Sequence, residues 1–156
     1  AQVLQWMGPN EGDRFLDLGS GSGKAVLTAA SLYKLDLALG IEVQPKLHAA
    51  ALDARSRLLA LSAPPTPARL IEFRNEDAFK KQWYEGLDLV FCTTTCFTPE
   101  MIEQLQRDAE KLRVGARIAV TTRPLNSLKF RMTQKGVLPY GKGSLTFFVY
   151  VREDSQ

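Results

Sequence analysis

The stretch Asp17-Leu-Gly-Ser-Gly-Ser-Gly23 lies between a short apolar run, Arg14-Phe-Leu-Asp-Leu18, and a helical pattern over 25–33. A strand that enters a glycine-rich turn and leaves as a helix belongs to an open α/β sheet, whose ligands bind at the carboxyl ends of its strands. Glycines at such a turn let the backbone bend tightly and approach a ligand closely. The spacing is G-x-G-x-G. Lys24 stands where the dinucleotide fingerprint G-x-G-x-x-G needs its third glycine, and the phosphate loop G-x-x-x-x-G-K-[ST] fails at Leu18 and Ala25. Both NAD and ATP are disfavoured.

An acid directly before the loop points the same way. The Asp17 carboxylate would repel a pyrophosphate but suits a ligand carrying an ammonium or sulfonium group. Glu42 ends the next apolar run, at the position expected of a carboxylate that accepts hydrogen bonds from ribose hydroxyls. Asp77, in Asn75-Glu-Asp-Ala-Phe79, follows a third run and suits an adenine amino group, with Phe79 against the ring face. Any one of these acids alone would more simply cap a turn or a helix start. Three acids after three successive strands describe one pocket.

The rest of the chain repeats the strand and helix unit. Residues 37–42 are a second strand, and Pro45 opens a helix with Leu47, Ala51, Ala54, Leu58 and Leu61 on one face. The prolines of 62–67 make that stretch a loop. Strands are expected near 69–73, 87–93 and 117–121. A helix starts at Thr98-Pro-Glu100, presents Met101, Ile102, Leu105, Ala109 and Leu112 inward, and stops at Gly115. From Lys129 two extended segments, near 129–139 and 144–151, join through Tyr140-Gly-Lys-Gly143 as a hairpin. The expected fold is α/β and Rossmann-like. It is a doubly wound, mostly parallel sheet between helical layers, with an antiparallel hairpin at the C-terminal end. The 156 residues, 45% hydrophobic and 24% charged, match one domain spanning 1–156.

Charge is uneven. Residues 1–110 carry 15 acids and 11 bases, whereas 111–152 carry nine bases and no acid, so the net +3 hides a segment of +9. Such a segment suggests an acidic partner, chromatin or nucleic acid, or else a solvated basic face. Cys92 and Cys96 alone cannot complete a structural zinc site, so no metal is expected and a reducing, intracellular setting fits, cytoplasmic or nuclear. No basic leader opens the sequence, and no apolar run approaches the roughly 20 residues that cross a bilayer, so no membrane association is expected. His48 lies on the second helix, away from the strand ends.

Taken together, Asp-x-Gly-x-Gly-x-Gly, the acid ending strand two and the Asp after strand three resemble class I S-adenosylmethionine (SAM)-dependent methyltransferases. Within that superfamily the chain is similar to the disruptor-of-telomeric-silencing family, the histone lysine methyltransferases that lack a SET domain. Phe15-Leu-Asp-Leu-Gly-Ser-Gly-Ser-Gly-Lys-Ala-Val, Gly40-Ile-Glu-Val, Leu89-Val-Phe-Cys-Thr-Thr-Thr-Cys-Phe-Thr-Pro-Glu and the closing Tyr140-Gly-Lys-Gly-Ser-Leu-Thr-Phe-Phe-Val-Tyr carry the likeness. The resemblance implies SAM as cofactor, held by Asp17, Gly19, Ser20, Gly21, Gly23, Lys24, Glu42, Val43, Asp77, Ala78, Phe79 and Thr93. It implies a protein-lysine acceptor, with Thr93, Thr94 and Phe97 lining an apolar channel that keeps the amine neutral; the alternative is that the threonines bond strand-end backbone and Phe97 is core. Thr93 and Thr94 replace an asparagine pair of that family, and Lys24 replaces a glutamine. Methylation of RNA or a small molecule, or a module that binds without turnover, are the alternatives.

Overall fold

The computed structural model describes residues 1–61, 63 and 66–154; Ser62, Pro64 and Pro65 of the expected proline loop lie outside the described residues. The chain runs α1 (Gln2–Met7), β1 (Arg14–Leu18), α2 (Lys24–Leu32), β2 (Leu37–Ile41), α3 (Pro45–Leu59) and β3 (Ile71–Arg74). A three-residue 3-10 turn (Ala78–Lys80) follows, then β4 (Leu89–Cys92), α4 (Pro99–Ala109), β5 (Arg117–Thr121), β6 (Phe130–Tyr140) and β7 (Gly143–Arg152).

Seven strands form one sheet in the order β3-β2-β1-β4-β5-β7-β6. Strands β1 to β5 are parallel, and β7 enters antiparallel beside β5. The order reverses between β1 and β4, the switch point at which open sheets bind ligands. Short apolar strands alternate sides, so β1 sends Phe15 to one face and Leu16 and Leu18 to the other. One face packs against α1, α2 and α3 through Met7, Val26, Ala29 and Ala51. The other packs against α4 through Leu105 and Ala109, with Trp83 and Leu87 from the connection before β4.

The doubly wound sheet and its terminal hairpin are as the sequence implies. Three details differ. Helix α1, too short and uncapped to leave a sequence signal, packs Val3, Leu4 and Met7 into the core and ends at Gly8 in a left-handed conformation. Helix α3 buries only Ala51 fully, leaving Leu47 exposed, because it lies over the margin of the sheet beside edge strand β3. The last β5–β7 pair is Thr121 with Phe147, yet β6 and β7 stay paired as far as Tyr140 and Gly143. At about 3.3 Å per residue, the hairpin therefore overhangs the carboxyl edge of β5 by roughly 13 Å. No helix among the described residues is long and apolar enough to cross a membrane.

Candidate active site

The glycine loop fills the carboxyl end of β1. Gly19, Gly21 and Gly23 all have positive φ (75, 54 and 82°), which a side chain would strain. Their surroundings differ. A Cβ on Gly19 or Gly21 would meet nothing within 4 Å, whereas one on Gly23 would sit 2.6 Å from Cζ of Phe73. The first two glycines leave open space for a ligand, and the third lets α2 pack against the sheet.

The loop is fastened to β2. The amides of Gly19 and Ser20 donate to the Ile41 carbonyl (2.9 and 3.0 Å), and the Gly21 amide donates to Oε2 of Glu42 (2.8 Å). Oε1 of Glu42 accepts from the Gln44 amide (2.8 Å), and the Asn75 side chain donates to the carbonyls of Glu42 and Val43 (2.7 and 3.1 Å). Glu42 is thus buried and fixed from three sides, and each oxygen keeps a lone pair for a hydroxyl donor. Asp77 caps the 3-10 turn, its Oδ1 accepting from the Phe79 amide (3.0 Å).

These residues surround a half-open cleft with a cavity of about 100 Å³. Glu42, Val43, Asp77, Ala78, Phe79 and Gly19 all line it. Phe97 does too, edge-on to Phe79 with ring centroids 5.6 Å apart. Leu18, Ile41, Glu76 and Met101 complete the wall. Sequence reasoning missed those four because each reads equally well as core or as surface. Met101, for example, is one of the inward positions of α4.

Asp17 lies beneath the loop, 4% exposed. Burial, and then the neighbouring Glu42 carboxylate, push its carboxyl up to about 7. A cationic ligand above it would reverse that displacement by favouring the ionised form. Burial and Asp17 together push the Cys92 thiol well above its ordinary value, which makes it an inert core group rather than a nucleophile.

The acceptor residues are placed differently from the sequence reading. Thr94 is 3% exposed. Its amide donates to Oγ1 of Thr121 (2.9 Å) and its hydroxyl to the Thr121 carbonyl, so it ties the ends of β4 and β5 together instead of facing a channel. Phe97 belongs to the wall shared with Phe79. Thr93 is half-buried just past the end of β4, outside the lining of this cavity. Lys24 is exposed at the first position of α2, and the Ser20 hydroxyl is buried without a hydrogen-bond partner, within 2.6 Å of where a Cβ on Gly40 would lie. Neither side chain lines the cavity.

The basic segment changes meaning in three dimensions. Lys111 pairs with Asp108 (2.9 Å), Arg113 with Asp88, Arg117 with Asp13 (2.5 Å), Lys129 with Glu110 (3.5 Å) and Arg131 with Glu153. Most of the +9 is therefore answered locally, by acids that the linear sequence keeps in other segments or just beyond it. Among the described residues, Arg123, Lys135 and Lys142 form no ion pair, and Arg152 donates only to the backbone carbonyls of Glu110 and Glu153.

The lining suits SAM on its own chemistry. It offers Gly19, where a Cβ would enter open space, a fixed carboxylate for hydroxyls, and an acid beside an aromatic wall. Solved structures share this fold. Magnesium protoporphyrin IX methyltransferase from Synechocystis, crystallised with SAM, superposes with a TM-score of 0.74 at 16% identity, covering 97% of this chain and 77% of that one. TrmN from Thermus thermophilus superposes at 0.77 and 20% identity, covering 97% and 47%. In sequence, the chain is 29% identical over 147 residues to the "Histone-lysine N-methyltransferase, H3 lysine-79 specific" of Drosophila melanogaster, covering 90% of this chain and 8% of that protein's length. The family described as "Histone methylation protein DOT1" matches residues 1–140. The chain belongs to the DOT1 family.

Proposed function

We propose that this chain is a SAM-dependent methyltransferase domain whose acceptor is a protein lysine, on a histone. The observation that carries the cofactor reading is the convergence of Glu42 and Asp77, from the ends of two adjacent strands, on one cavity walled by Phe79 and Phe97, with Asp17 buried near Glu42 on the strand between β2 and β4. The acceptor class rests on membership of the DOT1 family and on the likeness to the Drosophila enzyme. When bound, SAM supplies an electrophilic methyl group and departs as a neutral thioether.

The residues of the chain bind and orient. Glu42 accepts from the ribose hydroxyls, and Asp77 accepts from the adenine amino group while Phe79 and Phe97 exclude water from the ring. Asp17 offsets the positive charge, and Gly19 and Gly21 let the backbone lie close. Thr93, just beyond β4, stands on the acceptor side, and Thr94 holds that strand end to β5. Little acid-base machinery is required, because holding amine and methyl in line supplies most of the acceleration. An acidic chromatin partner would be met by Arg123, Lys135 and Lys142, and a histone acceptor places the protein in the nucleus.

Calorimetry with SAM on the wild type and on Glu42→Ala is the first test. Micromolar binding that the variant loses supports the pocket, and a wild type that does not bind refutes it. Methyl-labelled SAM offered with nucleosomes, free histones, RNA and a metabolite extract then identifies the acceptor. Label on RNA or metabolites overturns the lysine assignment. Binding without transfer to any of them would mark a module without turnover, the reading favoured by Thr93 and Thr94 in place of the family's asparagine pair.

A further inference from the structure

We infer that Gln104 of α4 is a positioning residue for residues 77–79, and through them for the adenine half of the cofactor; this rests on the SAM reading above. No full helix joins β3 to β4, only the 3-10 turn Ala78–Lys80. Its own bonds are local: Lys80 to the Asp77 carbonyl, Lys81 to the Ala78 carbonyl, and the Phe79 amide to Oδ1 of Asp77. These hydrogen bonds do not fix the turn relative to the sheet, against whose core Ala78 and Phe79 pack.

The tie from outside comes from α4, where half-buried Gln104 donates Nε2–H to the Phe79 carbonyl at 2.9 Å, across 25 residues of chain. The acceptor is a carbonyl oxygen, so the amide must present its NH2 and the orientation is unambiguous. A second link runs to the same part of the molecule, since Phe97, against which Phe79 packs, directly precedes the N-cap of α4. Two residues on, Gln106 makes a comparable bond in another direction, its Oε1 accepting from the Asn126 amide (2.7 Å) in the connection between β5 and β6. Helix α4 thus uses one glutamine to locate the turn at the cofactor cavity and another to hold a loop away from it.

Gln106→Met is therefore an internal control for any general loosening of α4. Gln104→Met keeps length and packing but removes the donor, while Gln104→Lys keeps an N–H donor on a side chain one atom longer. Two readouts decide. In the ligand-free protein, amide exchange at residues 79–81 should quicken in Gln104→Met and stay near wild type in Gln106→Met and Gln104→Lys. By calorimetry, affinity for SAM and for 5′-methylthioadenosine should fall by the same factor, roughly tenfold for one lost hydrogen bond, in Gln104→Met alone. Unchanged exchange, unchanged affinity, or an equal loss in Gln106→Met overturns the positioning role. A wild type that binds neither ligand defeats the SAM reading, and the adenine half of this inference with it, whereas the exchange comparison judges the tie without any ligand.

Discussion

Asp17→Asn should make the protein more stable and a poorer binder, and the size of the first effect follows from burial. The Asp17 carboxyl is held at about 7, against an ordinary value of 3.8, mainly because it is buried and secondarily because Glu42 is near. A carboxyl whose folded value lies above its unfolded value binds its proton more tightly when folded. Its ionisation therefore costs stability, fully so above about pH 7 and not at all below about pH 4, where both states are protonated. At about 1.4 kcal/mol per pH unit, the gap is worth roughly 4 kcal/mol, a large share of the 5–15 kcal/mol that holds a typical domain together. Asparagine has the same shape and no charge, so urea unfolding at pH 8 should show the variant more stable by up to about 4 kcal/mol. That advantage should shrink steadily to nothing by pH 4. Affinity for SAM should move the opposite way, since the amide cannot offset a cation. A variant no more stable than wild type at pH 8, or an advantage that persists unchanged at pH 4, would refute the reasoning.

The two kinds of glycine in the loop separate by substitution. Gly23→Ala, with its Cβ forced against Phe73, should lose about 2–4 kcal/mol in denaturant; Gly19→Ala should lose only about 1 kcal/mol yet abolish SAM binding, because its Cβ enters open ligand space. Thr122 is β-branched at φ 66°, held by the hydrogen bond its amide donates to the Thr146 carbonyl (2.8 Å), and Thr122→Asn should gain about 1 kcal/mol by relieving that strain, read as a raised melting temperature. Arg117 pairs with Asp13 and donates to the Met7 and Gly8 carbonyls, so Arg117→Met should cost about 3 kcal/mol in denaturant, part of it restored by adding Asp13→Asn.

The sheet was legible because its strands are short, apolar and separated by glycine or proline punctuation, and the loop at 17–23 fixed where the switch point lies. Glu42, Asp77 and Phe79 could be placed at the cavity because each follows a strand end by a residue or a few, a relation that survives folding. Thr94 and Phe97 could not, because their surroundings depend on cross-strand partners. Thr121, 27 residues away, claims the Thr94 hydroxyl, and the ring of Phe79 claims Phe97. How much of the +9 of residues 111–152 is answered within the chain was hidden for the same reason. Ion pairs such as Arg117 with Asp13 span more than a hundred residues, and a sum along the sequence cannot see them.

The two sides of the cavity are built to different stiffness, and that difference has a consequence for the acceptor. Glu42 is clamped by two backbone amides and its carbonyl by Asn75, all from segments adjoining the parallel sheet. The Phe79 side depends on a three-residue turn, on one glutamine of α4, and on Phe97 from the loop that leads into α4. That loop is also the continuation of β4, through Thr93 and Thr95, on the side that the proposed function gives to the acceptor. A displacement of 93–97 by an arriving substrate therefore reaches Phe79 through the Phe97 edge contact and through the start of α4, while leaving Glu42 in place. On the proposed function, coupling between acceptor and cofactor would have a specified direction. It enters through the aromatic wall, and substitutions that reshape the acceptor loop should alter adenosyl affinity while leaving the contribution of Glu42 unchanged.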